Sequence, residues 1–250
     1  MKTALILTLF SAATLLGQVP ENKEAKSPPP AGLINPAARS NMLAKTGGLV
    51  VKQAVGPVVH VVNVQSRIAQ PSLSSTVQDM GQQSRVGVVL SERKDKKSAA
   101  SSIVETLKGT NVAAIIILVD RPGEPMLLVA PEERWAVVNV AALGGSGVAV
   151  DLLNARVQKE IWRAFGLVMG AANSNFPGCV MRPVCKAEDL DHLKMNKLSP
   201  EPLMKIMSQA TQMGITLSKF TSYRKACEDG WAPAPTNDIQ KAIWNEAKAK

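Results

Sequence analysis

The sequence predicts an α/β fold in which a mixed sheet is covered by helices. Three observations lead to this prediction. Apolar runs typical of strands alternate with helical segments through the first half of the chain. The run at 112–119 (VAAIIILV) is continuously apolar, as in a central strand that is covered on both faces. Apolar residues recur at helical spacing through 151–172, which predicts one long helix.

Short apolar runs bounded by turn residues predict the strands, and capping signals with helical periodicity predict the helices. The predicted strands are 58–64, 86–90, 112–119, 126–129 and 135–140. The predicted helices are 72–82, 98–108, 151–172, 200–213 and 238–248.

Five signals indicate the boundaries of these elements. Pro57 precedes the first strand, VVHVVNV. Ser98 is the expected N-cap of the second helix, and Gly109 is its expected stop. Asn237 and Gln240 have the spacing of a capping box before the last helix. The glycine-rich segment 144–147 is expected to be a flexible loop.

The N-terminus predicts a secreted or periplasmic protein. Residues 1–18 have a short positive start followed by an apolar run that is short for a membrane span, as in a cleaved signal peptide. An uncleaved anchor is the alternative. Residues 19–47 are rich in proline and are expected to be a disordered linker. The remainder, 48–250, is expected to be a single domain with an α/β part at 48–172 and a C-terminal, mostly helical part at 173–250.

Composition and charge exclude one class of partner. The net charge is +9, yet the densest charged run, at 92–97, carries both signs and reads as a solvated turn. We therefore expect no nucleic acid partner. With only 4% aromatic residues, the core must be mainly aliphatic.

The chain has three cysteines, Cys179, Cys185 and Cys227, so at most one internal disulfide can form. A Cys179–Cys185 bridge would close a small loop. A bridge from either of these cysteines to Cys227 would close a longer loop, which stabilises more, so we favour Cys227 as one partner and take Cys185–Cys227 as the candidate pair.

Residues 111–191 resemble the archaemetzincin branch of the metzincin zinc peptidases. The run RVQKE at 156–160 is similar to the segment that precedes the first zinc-binding histidine of that branch. The segment 135–143 resembles its upstream strand, and Cys179, Val180 and Met181 resemble its Met-turn, with Asp189 or Asp191 in a later acidic position. The resemblance implies a metzincin-like mixed sheet, a long active-site-type helix and a Met-turn loop.

The metzincin motif HExxHxxGxxH supplies three zinc ligands and a general base. In this chain the five defining positions retain only the glycine of the turn. They are Arg163, Ala164, Leu167, Gly170 and Asn173. The whole chain has two histidines, His60 and His192, so a site of three histidines cannot be built. The resemblance also places Ser174 where the branch has a cysteine ligand of a second, structural zinc.

Other catalytic constellations are weaker. Cys179, Cys185, Asp191 and His192 have no usual metal-ligand spacing, and Cys185 would need His192 as a base to act as a nucleophile. Ser146 lies in GGSGV without the strand-to-helix setting of a nucleophile elbow. His60 is expected to be a core histidine with a hydrogen-bond partner, and His192 a surface residue.

Three functions follow from these observations. The first is a catalytically inactive, metallopeptidase-like protein with neither cofactor nor metal, which binds a peptide or protein. The resemblance implies that such a ligand would add as a strand along the edge 126–130. Arg163 would then bind a ligand carboxylate or fill the vacated space by bonding Asn173, a backbone carbonyl or neighbours near Asp151. The second is an active hydrolase with a non-standard metal or thiol site. The third is an envelope-associated structural protein that binds through its tryptophan-containing tail, 227–244.

Overall fold

A computed structural model describes residues 45–95, 99–145 and 147–249. These residues form one compact unit. The expected signal peptide and nearly all of the linker lie outside the described residues, as do the predicted N-cap Ser98 and the candidate nucleophile Ser146.

Seven strands are present in the described part of the chain. They are β1 (Leu49–Lys52), β2 (Val58–Val64), β3 (Val88–Arg93), β4 (Val112–Val119), β5 (Leu127–Ala130), β6 (Trp135–Asn139) and β7 (Lys219–Ser222).

The same residues contain seven α-helices and one 3-10 helix. They are α1 (Gln70–Ser84), α2 (Ala100–Leu107), α3 (Val140–Leu143), α4 (Val150–Val168), the 3-10 helix Ala187–His192, α5 (Pro200–Gln212), α6 (Tyr223–Glu228) and α7 (Asp238–Lys248).

Five strands form one mixed sheet in the order β3-β2-β4-β6-β5. The first four are parallel, and β5 runs antiparallel to β6 at one edge. The expectation of an α/β fold with a mixed sheet is confirmed. β1 and β7 form a separate antiparallel ribbon, in which Val51 is paired with Phe220.

The sheet has a core on each face because its side chains alternate. Ile116 and its face pack with α1, α4 and the segment after α4. Ile117 and the opposite face pack with α2. The central strand β4 is therefore covered on both sides, which is why its sequence is continuously apolar.

The boundaries differ from the sequence prediction in informative places. The long helix ends at Val168 and not at 172, because Gly170 adopts a left-handed conformation with φ of 79°. The ribbon strands β1 and β7 and the short helices α3 and α6 had no strong sequence signal. The strand predicted at 86–90 is observed at Val88–Arg93, and the helix predicted at 72–82 extends over Gln70–Ser84.

Candidate functional site

The C-terminal end of α4 carries the positions that define the candidate site. Its inner face is apolar and almost wholly buried, with Ile161, Trp162 and Phe165 each fully excluded from solvent. The helix closes with two backbone hydrogen bonds, from Gly170 N to Leu167 O at 3.1 Å and from Ala171 N to Gly166 O at 2.8 Å. The left-handed Gly170 then turns the chain sharply away from the helix axis.

The returning chain forms a turn directly beneath this helix end. Cys179 O accepts a hydrogen bond from Arg182 N at 3.1 Å, which closes the turn around Val180 and Met181. Ser174 N donates to Met181 O at 3.0 Å and fastens the segment after the helix to this turn. Met181 is fully buried, and its sulfur lies so close to Gly166 that a Cβ on that glycine would overlap it.

The five positions that resemble the zinc-binding motif differ in their exposure to solvent. Arg163 and Ala164 are buried in α4, Leu167 is half-buried, and Gly170 and Asn173 are exposed. None of these side chains is a usual zinc ligand, since zinc takes Cys, His, Asp or Glu in proteins. Ala164 has no group that could accept a proton. The residues present therefore do not fit a zinc site of the metzincin type.

Arg163 is held by a carboxylate that the sequence analysis did not assign to it. Its Nη1 donates to both oxygens of Glu160 at 3.3 Å, one helical turn earlier. Glu160 is fully buried and Arg163 is 6% exposed. Burial raises the pKa of the Glu160 carboxyl, while the positive charge of Arg163 acts in the opposite direction. The expected contacts of Arg163 with Asn173, a backbone carbonyl or neighbours near Asp151 are replaced by this ion pair.

The spacing of Glu160 and Arg163 in the sequence is compatible with an ion pair on a helix. Residues three apart on a helix are neighbours, so Glu160 was within reach of Arg163 from the start. In the described residues, Arg163 Nε has no hydrogen-bond partner. The guanidinium thus occupies the interior of the helix end with only part of its donors satisfied.

A second ion pair ties α4 to the segment after the turn. Arg156 donates to both carboxylate oxygens of Asp191, at 2.9 and 2.6 Å, and to Leu143 O at 3.0 Å. The hydrogen bonds from Arg156 hold the pKa of Asp191 below its usual range. Of the two acidic positions singled out in the sequence, Asp191 faces the helix. Asp189 instead accepts from the backbone of Cys185 and Lys186.

The side chain of Cys179 is buried and accepts several hydrogen bonds. Its sulfur accepts from Ser199 Oγ at 3.1 Å, from Ser199 N at 3.3 Å and from Met181 N at 3.4 Å. Ser199 is the residue immediately before α5, and no sequence pattern indicates its contact with Cys179. The buried thiol is therefore closed off from solvent by the start of a neighbouring helix.

The predicted disulfide is not formed, since all three cysteines are free. Cys227 is on α6, which packs on α7, β7 and β1. Cys185 is exposed in the segment before the 3-10 helix, which packs on α4. The two residues of the candidate pair are thus anchored to different layers of the protein.

The other candidate chemistry is not brought together. In the part of the chain that the structure describes, no three His, Cys, Asp or Glu side chains are grouped as metal ligands would be. His60 Nε2 lies 2.8 Å from Ser91 Oγ across two neighbouring strands, and burial lowers the pKa of this histidine. His192 is exposed at the end of the 3-10 helix.

The sheet edge above α4 is open along β5. β5 pairs with β6 on one side only, and Leu128 on β5 is 51% exposed. Asn139 N donates to Met126 O, and the antiparallel ladder alternates from that pair. It follows that the N–H and C=O groups of Leu127 and Val129 point away from β6.

The tryptophan-containing tail packs against the domain. Tyr223 is fully buried and donates to Pro233 O at 2.9 Å. Gln240 Nε2 donates to Gly47 O at 2.8 Å, and Lys52 Nζ lies 5.7 Å from the ring centre of Trp231. These contacts are those of a segment that covers its own domain.

Comparisons with known proteins find similarity at the level of structure. No family model matches the chain, and no curated protein matches it. The crystal structure of archaemetzincin from Methanopyrus kandleri is 18% identical over 62% of this chain and 96% of that chain, with a TM-score of 0.49. A zinc-dependent peptidase from Methanocorpusculum labreanum is 15% identical over 59% of this chain and 99% of that chain, with a TM-score of 0.43. At these identities no residue's role is transferred from either structure.

Proposed function

We propose that this chain is a secreted or periplasmic, catalytically inactive protein of archaemetzincin-like form that binds a peptide or protein ligand. The observation that carries the proposal is the buried Arg163–Glu160 ion pair, which fills the end of α4 where the sequence motif would require a zinc ligand. In this proposal the Arg163 guanidinium and the Glu160 carboxylate take the place of a metal ion and its ligands.

The loss of chemistry is supported by several independent substitutions. Ala164 supplies no general base, Leu167 supplies no ligand, and the Asn173 side chain lies exposed beyond the turn. The scaffold around them is kept, because Gly170 still turns the chain and Met181 still packs beneath the helix. A protein that lacks these ligands and keeps the surrounding scaffold is suited to binding without cleavage.

The proposed ligand surface is the open edge of β5. An extended peptide would add to this edge through the outward backbone groups of Leu127 and Val129, with the exposed Leu128 offering an apolar contact. We propose no nucleic acid partner. No helix in the described part of the chain is long and apolar enough to cross a membrane.

Zinc content tests the proposal most directly. The purified chain would be dialysed against micromolar zinc and then against buffer, and its metal content measured by elemental analysis. We expect a stoichiometry near zero and no cleavage of a fluorogenic peptide library. One tightly held zinc per chain would overturn the proposal, and variants of Cys179, Cys185 and His192 would then locate the metal.

The binding part has its own test. A heptapeptide selected by display on the wild-type protein would be titrated against Val129→Pro, which removes one outward N–H without breaking the β5–β6 ladder. We expect binding to weaken by about tenfold, or about 1.4 kcal/mol. Unchanged binding by this variant would place the ligand away from β5.

A further inference from the structure

A second groove lies at the opposite edge of the sheet from β5. It has a volume of about 400 Å³ and lies between the β1–β7 ribbon, α1 and the edge strand β3. Val51, Phe220 and Val89 all line it, and each is 39–40% exposed. Large apolar side chains that converge on one open groove are typical of a binding surface.

The backbone of β3 is available along this groove. Val59 N donates to Gly87 O, and Val59 is paired with Val88 in the parallel ladder. In such a ladder the residues that bond the neighbouring strand alternate with residues that face away. The N–H and C=O groups of Val88, Leu90 and Glu92 therefore point to the open side, and Val88 lies in the groove itself.

The lining defines the charge of an occupant. Of the residues that border the groove, none is charged, although the chain carries 29 Lys and Arg and 20 Asp and Glu residues. Gln53, Gln78 and Gln82 supply the amide groups, and all three are exposed. An amide can both donate and accept, which suits the backbone of a peptide. A charged ligand would lose water without meeting a counter-charge.

We propose that this groove binds an uncharged, extended peptide segment, which adds as a strand to the open side of β3. Aliphatic side chains on alternate residues of the peptide would contact Val51, Val89 and Phe220, because side chains alternate along a strand. The glutamines would bond its outward backbone groups. This site is separate from the β5 edge and does not depend on the proposed function.

The test uses the full chain and a defined probe, the blocked heptapeptide acetyl-Gln-Val-Thr-Val-Gln-Val-Thr-amide, titrated by calorimetry. We expect saturable binding with a Kd below about 1 mM. Replacing the three valines of the probe with aspartate should abolish binding. Methylation of alternate backbone amides should also weaken it by about tenfold, since N-methyl groups prevent strand addition on one side.

Two variants locate the site on the protein. Gly81→Leu fills the groove from α1, where an added Cβ meets only Val86 O at 3.5 Å, so the helix should fold normally. Phe220→Ser removes an exposed apolar wall. Each should weaken probe binding by about tenfold. Met204→Ser, which alters an equally apolar residue that is 65% exposed on α5, is the matched control and should bind as the wild type does.

Four results would overturn the proposal. They are the absence of saturable binding, equal binding of the aspartate-substituted probe, unchanged binding by Gly81→Leu, and loss of binding in Val129→Pro alone. A fifth such result would come from the oligomeric state of the wild type, measured by sedimentation. A dimer that Gly81→Leu and Phe220→Ser both dissociate would show that the occupant is a second copy of the chain.

Discussion

Arg163 and Glu160 lie one turn apart on α4, and the removal of either leaves the other as a buried, unpaired charge. A pair of this kind contributes little over apolar residues of the same size, because both charges lose their water. Breaking it is costly for the same reason. The pair therefore keeps this end of the helix filled and electrically balanced.

We predict that Arg163→Met lowers the free energy of unfolding at pH 7 by about 3–5 kcal/mol. The double variant Arg163→Met with Glu160→Leu should recover most of this loss, because no charge is then left buried. Urea denaturation of the four forms gives the coupling energy. Arg224→Ala, which breaks the exposed Arg224–Glu246 pair at 2.9 Å, is the control and should cost about 0–1 kcal/mol.

The pH dependence of stability provides a second test of this ion pair. Because burial raises the pKa of Glu160, protonation relieves its charge at acidic pH. Removal of Arg163 raises this pKa further, because the opposing positive charge is lost. The cost of Arg163→Met should therefore be greatest above the pKa of Glu160 in the variant, and it should shrink as the pH falls through that pKa towards the lower pKa of the wild-type carboxyl. A cost that does not change with pH would show that Glu160 is not the origin of the destabilisation.

The sequence predicted some of these residues and could not predict others. That no site of three histidines can be built follows from composition alone, because the chain has two histidines in 250 residues. The partner of Arg163 follows from helical spacing, yet its choice over Asn173 depends on where the chain goes after Gly170. Ser199 and Cys179 are 20 residues apart in the sequence, and no local sequence pattern predicts their contact.

At the scale of elements, α4 and the turn at Cys179–Arg182 behave as one packed unit. Gly166 allows the Met181 side chain to approach the helix backbone, and Leu198 lies 3.5 Å from the same would-be Cβ position. Met181 has no exposed surface, and close-packed interiors leave a side chain little room to move. The glycine is therefore needed for packing, although it weakens the helix locally.

We predict that Gly166→Ala lowers the free energy of unfolding by about 1–3 kcal/mol through overpacking. Alanine is the better helix former by about 1 kcal/mol, so the sign of the change separates the two effects. Gly81→Ala on α1 is the matched control, because its Cβ has room, and it should stabilise by up to about 1 kcal/mol.

A second substitution tests the cause. In the Gly166→Ala background, Met181→Ala should cost less than it does in the wild type, with a coupling energy of about 0.5–3 kcal/mol. Additive effects would mean that Met181 and Gly166 are not in the contact described. Both measurements need only equilibrium denaturation of the four variants.

The strands and helices that could be predicted best are those whose sequence pattern lies within the element itself. β4 is long and is apolar on both faces, which are both buried. α4 is long and is apolar along the one face that is buried. β1 and β7 are four residues each and largely exposed, and they pair with one another although they are far apart in the sequence. The end of α4 was missed by four residues because its apolar face continues beyond the glycine that stops the helix.

At the scale of the whole molecule, the two ends of the described chain are fastened together outside the main sheet. Gln240 donates to Gly47 O, and its Oε1 accepts from Thr236 N at 2.8 Å, so one side chain bonds two segments. Gly47 adopts a φ of 80°, and a Cβ there would meet Tyr223 at 3.0 Å. The β1–β7 ribbon is thus braced by α6, which in turn packs on α7.

This arrangement predicts two levels of stability within one chain. Gln240→Ala should speed hydrogen exchange in β1, β7 and α6 by about tenfold, because local opening there no longer breaks the bonds to Gly47 and Thr236. Exchange in β2 and β4 should not change, since these strands are covered on both faces and open only with the whole domain. Gln212→Ala, an exposed position at the end of α5, is the control.

Equal acceleration in β2 and β4 would contradict this view, because it would make the ribbon part of the same cooperative unit as the sheet. The distinction matters for the proposed groove, whose outer wall is formed by Val51 and Phe220 of the ribbon. If the ribbon opens locally, a peptide can enter beside β3 without disturbing the core. Bound peptide should then slow exchange in β1 and β7 of the wild type and slow it more in Gln240→Ala, where there is more opening to suppress.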